Sequence, residues 1–487
     1  MSISQTLNGG TPSPRIEKSI APAVVEVKYR LYKRRFFGLF GFIILGMGSA
    51  MPGTWFGPIA NSGNAQLTAA DFDISLIQVN WLGNIMLCIY LPISIFVPVI
   101  CSRYGIRRCT EVGGVMLLIS AWVRYAGTIN SLSPQSAYVL LILGQLFSGI
   151  AQPVFQVLGP MYSERWFNLN GRTTATMLIA IANPVGVAIG QLLSPLGTTR
   201  QSLLVLGIIS TAAVPTVLLI SDSPPSPPTY SGSKPPLPPS SLCRAALGLP
   251  VPQEAYMTPR ERIDFLVVTL FFGAFVGASG AASVLSAEWF QPAGYPPVTV
   301  GLFGATSILA GIISAVIAAP LLDRVFTHSA LVTLKILAPT LSLAWLSLIW
   351  AVRPNNIAVL FVIMVIIGMC SMTLLPVVLE HGVELTRNAD GSASILWCSG
   401  NLFGIILILA EGALRAPSTA NPPYHMHGAL ILQGCVVMVF GALVFILRVR
   451  QVRREMDETM MGNGNTALGT VAVAGSGVEH LGEGKTV

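Results

Sequence analysis

The chain has 487 residues, of which 53% are hydrophobic and 10% charged, with a formal net charge of +7 and a mean hydropathy of +0.68. Soluble domains carry roughly 25% charged residues, so this composition excludes a soluble nucleic-acid-binding protein as the source of the basic excess and describes a polytopic membrane protein. Seven cysteines, at 88, 101, 109, 243, 370, 398 and 435, form an odd set without CxxC spacing, which argues against a disulfide or zinc framework.

Residues 1 to 35 hold no apolar stretch of the kind that forms a cleavable signal, and the first apolar run is expected to act as a signal anchor. A membrane-crossing helix needs about 20 mostly apolar residues. By that measure six spans come first, near 36–59, 76–100, 112–129, 137–161, 173–195 and 201–220. A hydrophilic stretch from 221 to 263 follows, with eleven prolines between Ser221 and Arg262, and such composition makes a semi-rigid spacer. Six more spans lie near 264–289, 298–322, 330–352, 356–379, 393–414 and 428–449. Within the N-terminal tail, 1–35, and the C-terminal tail, 450–487, residues 1–25 and 456–487 hold little to bury and are expected to be disordered.

Basic residues set the orientation. With both termini in the cytoplasm, the inner loops carry Lys28, Arg30, Lys33, Arg34, Arg35, Arg103, Arg107, Arg108, Arg165, Arg172, Arg324, Arg387, Arg448, Arg450, Arg453 and Arg454, against Arg200, Arg353 and Arg415 outside. The two blocks also repeat one design. Glu164 and Gly171 follow the fourth span of the first block, and Glu384 and Gly391 follow the fourth span of the second, each pair seven residues apart. Two parallel six-helix repeats joined by a long inner linker resemble the major facilitator fold. The expected fold class is therefore an all-α membrane protein with twelve transmembrane helices in two six-helix halves.

Such a fold places its site near the bilayer midplane, so polar and aromatic residues deep in spans are the candidates. Trp55 follows Pro52 and Gly53 in the first span; it is either one wall of a cation cage or an interfacial belt tryptophan. Gln145, Gln152 and Gln156 share one face of the fourth span, and they either line a cavity or bond neighbouring helices. Asn183 before Pro184 marks a substrate contact or a kink, and Asn401 among small residues marks substrate contact or close packing. Near the outer ends stand Arg124, Glu288 and Glu411, read as an outer gate or, for either carboxylate, a protonation site, with snorkelling as the alternative for Arg124. Near the inner end, Glu380, His381, Glu384 and Arg387 are expected to form an ion-pair gate.

Two other features carry less. Tyr424-His425-Met426-His427 lacks a third metal ligand, and the PPSPP and PPLPP runs need no SH3 or WW partner to explain them. No Walker A, nucleotide-binding glycine or GxSxG motif is present, so neither enzyme chemistry nor a cofactor is expected.

The stretch GQLFSGIAQPVFQVLGPMYSERWFNLNGRTTATMLIAIANPVGVAIGQLLSP, with NWLGNIMLCIYLP, AWVR, GVELT and NLFGI elsewhere, resembles the feline leukaemia virus subgroup C receptor-related transporters. That resemblance implies a major facilitator transporter of choline or ethanolamine, or of haem or a vitamin. It implies that Trp55 faces a quaternary ammonium and that Gln152 contacts substrate, with Asn401 where the family has another glutamine. The chain departs from the family at Val276, Asn80 and Ser102, which stand for a tyrosine and two acidic residues. The expected function is transport of a small polar metabolite by alternating access. The alternatives are a vitamin, organic anion or haem carrier, with Arg124 as anchor for an anion, and a non-transporting receptor or scaffold. The expected partners are a small-molecule substrate and the lipid bilayer, without nucleic acid, for a monomer in the plasma membrane rather than a vacuolar or lysosomal one.

Overall fold

A computed structural model describes residues 29–56, 72–74, 76–194, 197–230, 239–324, 330–417 and 419–448. Most of both tails, the centre of the linker, the turn at 325–329 and Lys28, Arg450, Arg453 and Arg454 lie outside the described residues.

The first half contains α1 (Arg35–Thr54), α4 (Pro134–Trp166), α5 (Leu169–Leu193) and α6 (Thr199–Ala213). Between α1 and α4 runs one continuous stretch, Leu76–Ala126, bent at Gly105 (φ 83°, ψ 170°). We call its two arms α2 and α3. A side chain at Gly105 would be strained by its φ and would press on the Asp222 carboxylate, whose Oδ1 accepts from the Arg107 N–H at 2.9 Å. A short helix α7 (Pro239–Ala246) lies in the linker. The second half is α8 (Pro259–Phe290), α9 (Pro297–Arg324), α10 (Ala330–Ala351), α11 (Ile357–Thr386), α12 (Ala389–Ala413) and α13 (His427–Ala442). Eleven continuous helices are long and apolar enough to cross a membrane, and because one of them holds both α2 and α3, the described residues supply twelve spans.

The halves pack by one plan. In the first, α1 lies on α5, α2 on α4 (Gly149 against Met86 and Ile89) and α3 on α6 (Trp122 against Gly207 and Thr211); in the second, the corresponding pairs are α8 on α12, α9 on α11 and α10 on α13. Between halves, α2 meets α12 and α5 meets α9. Exchanging first for second half converts either of these pairs into the other, as a two-fold axis between the repeats requires. Small residues allow the closest approaches. A Cβ on Gly186 would lie 2.2 Å from the Met47 carbonyl of α1, and one on Gly368 would lie 1.8 Å from the Ser307 carbonyl of α9. In a bilayer the contact itself, rather than water exclusion, supplies the attraction, so a glycine at a crossing stabilises it.

The linker does more than span a gap. Asp222 holds the α2–α3 bend, Thr229 Oγ1 accepts from Arg172 Nη2 at 2.9 Å, and Leu242 and Ala245 of α7 are buried. Its proline content limits regular structure but leaves these flanks free to dock.

Burial is unequal along the helices. Every residue of α4 from Pro153 to Ser163 is buried, as is every residue of α11 from Thr373 to Leu379. Both stretches lie toward the end of the bundle that carries the linker. The linker end is packed all round, while the far end is more open to its surroundings.

Candidate functional site

Polar side chains on α4 and α5 converge on one groove. Gln145, Gln152, Gln156 and Ser163 share a stripe of α4. At one end of it, Gln145 Nε2 donates to the Pro52 carbonyl of α1 at 3.0 Å; at the other, Ser163 meets Thr176 of α5 at 2.6 Å. Pro52 lies in the last turn of α1, where carbonyls lack helical partners, and Gln145 caps that end from a neighbouring helix. On α5, Gly186 lies against Met47 of α1 and Ile179 against Gly159 of α4, so Asn183, between them in register, looks into the same α1–α4–α5 groove. Gln152 is half-buried and has no hydrogen-bond partner among the described residues. Gln156 Oε1 and Asn183 Nδ2 are buried and unpaired. One is an acceptor and the other a donor, at mid-depth in two adjacent spans.

Asn401 occupies the face of α12 that looks across to the first half. Ser394 and Cys398 share that face and donate to the Ser94 and Leu91 carbonyls of α2, at 2.5 and 4.0 Å. Asn401 itself bonds its own helix, Nδ2 to the Trp397 carbonyl at 2.8 Å.

Trp55 is placed elsewhere. It is 0% exposed, packs with Met51, Leu82, Leu141 and Leu203, and its indole N–H donates to Ser202 Oγ at 3.4 Å. The ring is closed inside the first half at the far end, away from the α4–α5 groove in this conformation.

The outer charges do not form one set. Arg124 does not snorkel: it is 0% exposed, and its guanidinium donates to Gln145 Oε1 at 2.5 Å, Ser148 Oγ at 3.1 Å and Ser120 Oγ at 3.3 Å. Gly144 makes room for it, since a Cβ there would lie 2.2 Å from Arg124 Cγ. Three neutral oxygens therefore hold this cation inside the first half. In the second half Glu288 pairs with Arg415. Glu411 stands apart, fully buried with both carboxyl oxygens unpaired.

The inner cluster is also divided. Arg387 is the C-cap of α11 in a left-handed conformation (φ 55°), which turns it toward α8 and the linker, where it bonds Glu261 at 2.6 Å and the Tyr256 carbonyl at 2.7 Å. Glu380 instead crosses between halves, its Oε1 accepting from Thr176 Oγ1 at 2.5 Å. The ties at the linker end thus include Ser163–Thr176–Glu380 and Ser394–Ser94. Sequence reasoning missed Thr176, Ser94 and Ser394 because hydroxyls in apolar spans commonly bond their own helix, and nothing local shows which of them reach across. Among the described residues no three His, Cys, Asp or Glu side chains could hold a metal ion.

Residues 38–409 match the family model of the Major Facilitator Superfamily. Among similar proteins, Solute carrier family 49 member A3 of Xenopus tropicalis is 26% identical over 438 residues, covering 87% of this chain and 88% of that protein. The Choline/ethanolamine transporter FLVCR2 of Homo sapiens is 25% identical, covering 79% of this chain and 72% of its own length. The Choline/ethanolamine transporter FLVCR1 of Felis catus is 24% identical, covering 94% and 79%. With two six-helix repeats paired as a two-fold axis demands, and a family match over most of its length, the chain belongs to the major facilitator superfamily.

Proposed function

We propose that this protein carries a small polar solute of the amino-alcohol class, choline or ethanolamine in kind, across a membrane by rocking its two halves about the α1–α4–α5 groove. The observation that carries this reading is the pair of buried, unpaired groups there, Gln156 Oε1 and Asn183 Nδ2. An unpaired polar group at this depth costs several kcal/mol, and a solute hydroxyl both donates and accepts, so one such group serves both. The names of the relatives support the same solute class. Gln152 and Asn401 flank the groove as further contacts, and Trp55 joins as an aromatic wall when the far end of α1 moves. Arg124 is engaged by Gln145, Ser148 and Ser120, which disfavours it as an anchor for an anionic solute.

The linker end faces the cytoplasm, with both termini on that side, because Lys and Arg concentrate there. The conformation is then the one closed toward the cytoplasm, with Thr176–Glu380 as part of its inner gate. The carrier works as a monomer in the plasma membrane. Uptake of radiolabelled choline and ethanolamine into liposomes containing the purified protein tests the proposal. Gln156→Ala and Asn183→Ala are each expected to reduce uptake about tenfold or more, as loss of a buried polar contact does. Uptake indifferent to both changes would sink the site, and no uptake of either solute would sink the solute class.

A further inference from the structure

The carboxyl of Glu411 has no place in the solute groove, yet its position is costly. It is 0% exposed, and the indole N–H of Trp289 on α8 stands against it at a geometry that closes no hydrogen bond with either oxygen. An ionised carboxylate without a partner is expensive inside a span. The surrounding helices bring little to offset it. From α8 come Glu288 and Trp289; α13 brings an exposed His427 at its start, with His425 before it. On α4 no charge precedes Glu164, on α2 none precedes Arg103, and on α11 none precedes Glu380, all at the linker end. Arg124 at the end of α3 is enclosed by Gln145, Ser148 and Ser120. Of the other arginines at the far end, Arg200 and Arg353 are exposed, and Arg415 lies four residues beyond Glu411 in the chain. Arg415 is held by Glu288, with side-chain exposures of 33% for Arg415 and 14% for Glu288.

We propose that Glu411 is a proton-binding site of the transport cycle, and that its proton leaves when Arg415 moves from Glu288 to Glu411. The present conformation holds Glu411 as the neutral acid and Arg415 with the Glu288 anion. When the far end opens, the Glu411 O–H bond breaks, the proton passes to water at the mouth, and the new Glu411 carboxylate takes Arg415 while Glu288 turns to solvent. Charge balances at each stage. Both carboxylates and the arginine belong to the second half, so the exchange senses the opening of that half rather than the solute itself. This rests on the transport reading above, because a proton that binds and leaves in a cycle presupposes one.

The proton can be tested without transport. In the purified full chain, the C=O stretch of a protonated carboxylic acid is expected in the infrared spectrum and is expected to be lost in Glu411→Gln. Dicyclohexylcarbodiimide, which attacks protonated carboxyls in apolar surroundings, is expected to label Glu411, read as an adduct on its peptide by mass spectrometry. In Glu288→Gln, Arg415 is free to pair with Glu411, and labelling is expected to fall about tenfold, the ratio expected when one close cation stabilises the anion. A merely structural Glu288–Arg415 pair would leave the labelling unchanged, which would overturn the exchange. Absence of both the infrared band and the label would overturn the proton site, even if choline uptake persists. Conversely, a Glu411 that labels in a protein that moves neither choline nor ethanolamine would count against the solute class while leaving the proton site standing.

Discussion

The two ends of the helix bundle are built from the same repeated helices and yet are held differently. At the linker end, polar side chains cross between halves, with Thr176 bonding Glu380 at 2.5 Å and Ser394 bonding the Ser94 carbonyl at 2.5 Å. At the far end polar groups turn inward within each half: Arg124 to Gln145, and Glu288 to Arg415. Among the described residues, the bond there between halves from Gln191 Nε2 to the Ser283 carbonyl is long at 3.5 Å. The pairing of helices is symmetric, so it cannot by itself choose which end is shut. A few side-chain hydrogen bonds make that choice, and they are small enough in energy to be remade in a transport cycle.

The largest expected effect falls where a buried charge loses its partner. Gln145→Ala removes both an acceptor from Arg124 and the cap on Pro52, and about 2–4 kcal/mol of stability is expected to go with it, read as a lowered unfolding temperature in detergent. A drop no larger than that of Gln152→Ala would mean that the far end does not depend on internal satisfaction of this arginine. Next comes the tie across the linker end. Thr176→Val removes the hydrogen bond that Thr176 donates to Glu380 across the halves, and a shift of 1–2 kcal/mol toward opening at the linker end corresponds to about 5- to 30-fold in population. Maleimide labelling of the half-buried Cys398, measured with the other cysteines replaced, should accelerate by that factor; an unchanged rate would mean that this tie does not hold the linker end shut.

Ser394→Ala is expected to act in the same direction but more weakly, since a neutral hydrogen bond contributes about 0.5–1.5 kcal/mol net. In the double variant with Thr176→Val the two accelerations should multiply if the ties act independently, because independent contributions add in free energy. At the bottom of the scale, Glu111 bonds Arg107 and Arg108 at 3.0 and 2.8 Å on an exposed face. Exposed ion pairs contribute little, so Glu111→Gln should change neither the labelling rate nor the unfolding temperature.

Much of this contrast could be read in advance, and its limits are instructive. Apolar run length located twelve spans because a span must satisfy its own backbone in hydrocarbon. Even so, the bend at Gly105 leaves α2 and α3 as one continuous helical stretch. The glutamine stripe on α4 was visible from spacing alone, but that Gln145 serves Arg124 while Gln156 is left open was not. The grouping of Arg124, Glu288 and Glu411 by depth was reasonable, because depth follows from distance along a helix. Which half each side chain turns into does not, and the three were dispersed. Trp55 shows the same limit: its place after Pro52 and Gly53 was evident, and its enclosure against Ser202 was not.

By itself the sequence determined the membrane, the spans, the repeat and the chemical types available at each depth, because these follow from composition and period along one chain. Only the tertiary structure decided which end is closed, which arginine is enclosed, and which carboxylate is left without a partner. Those depend on the direction of a side chain and on what a distant helix brings to meet it, and hydrogen bonds between helices are made through space rather than along the chain.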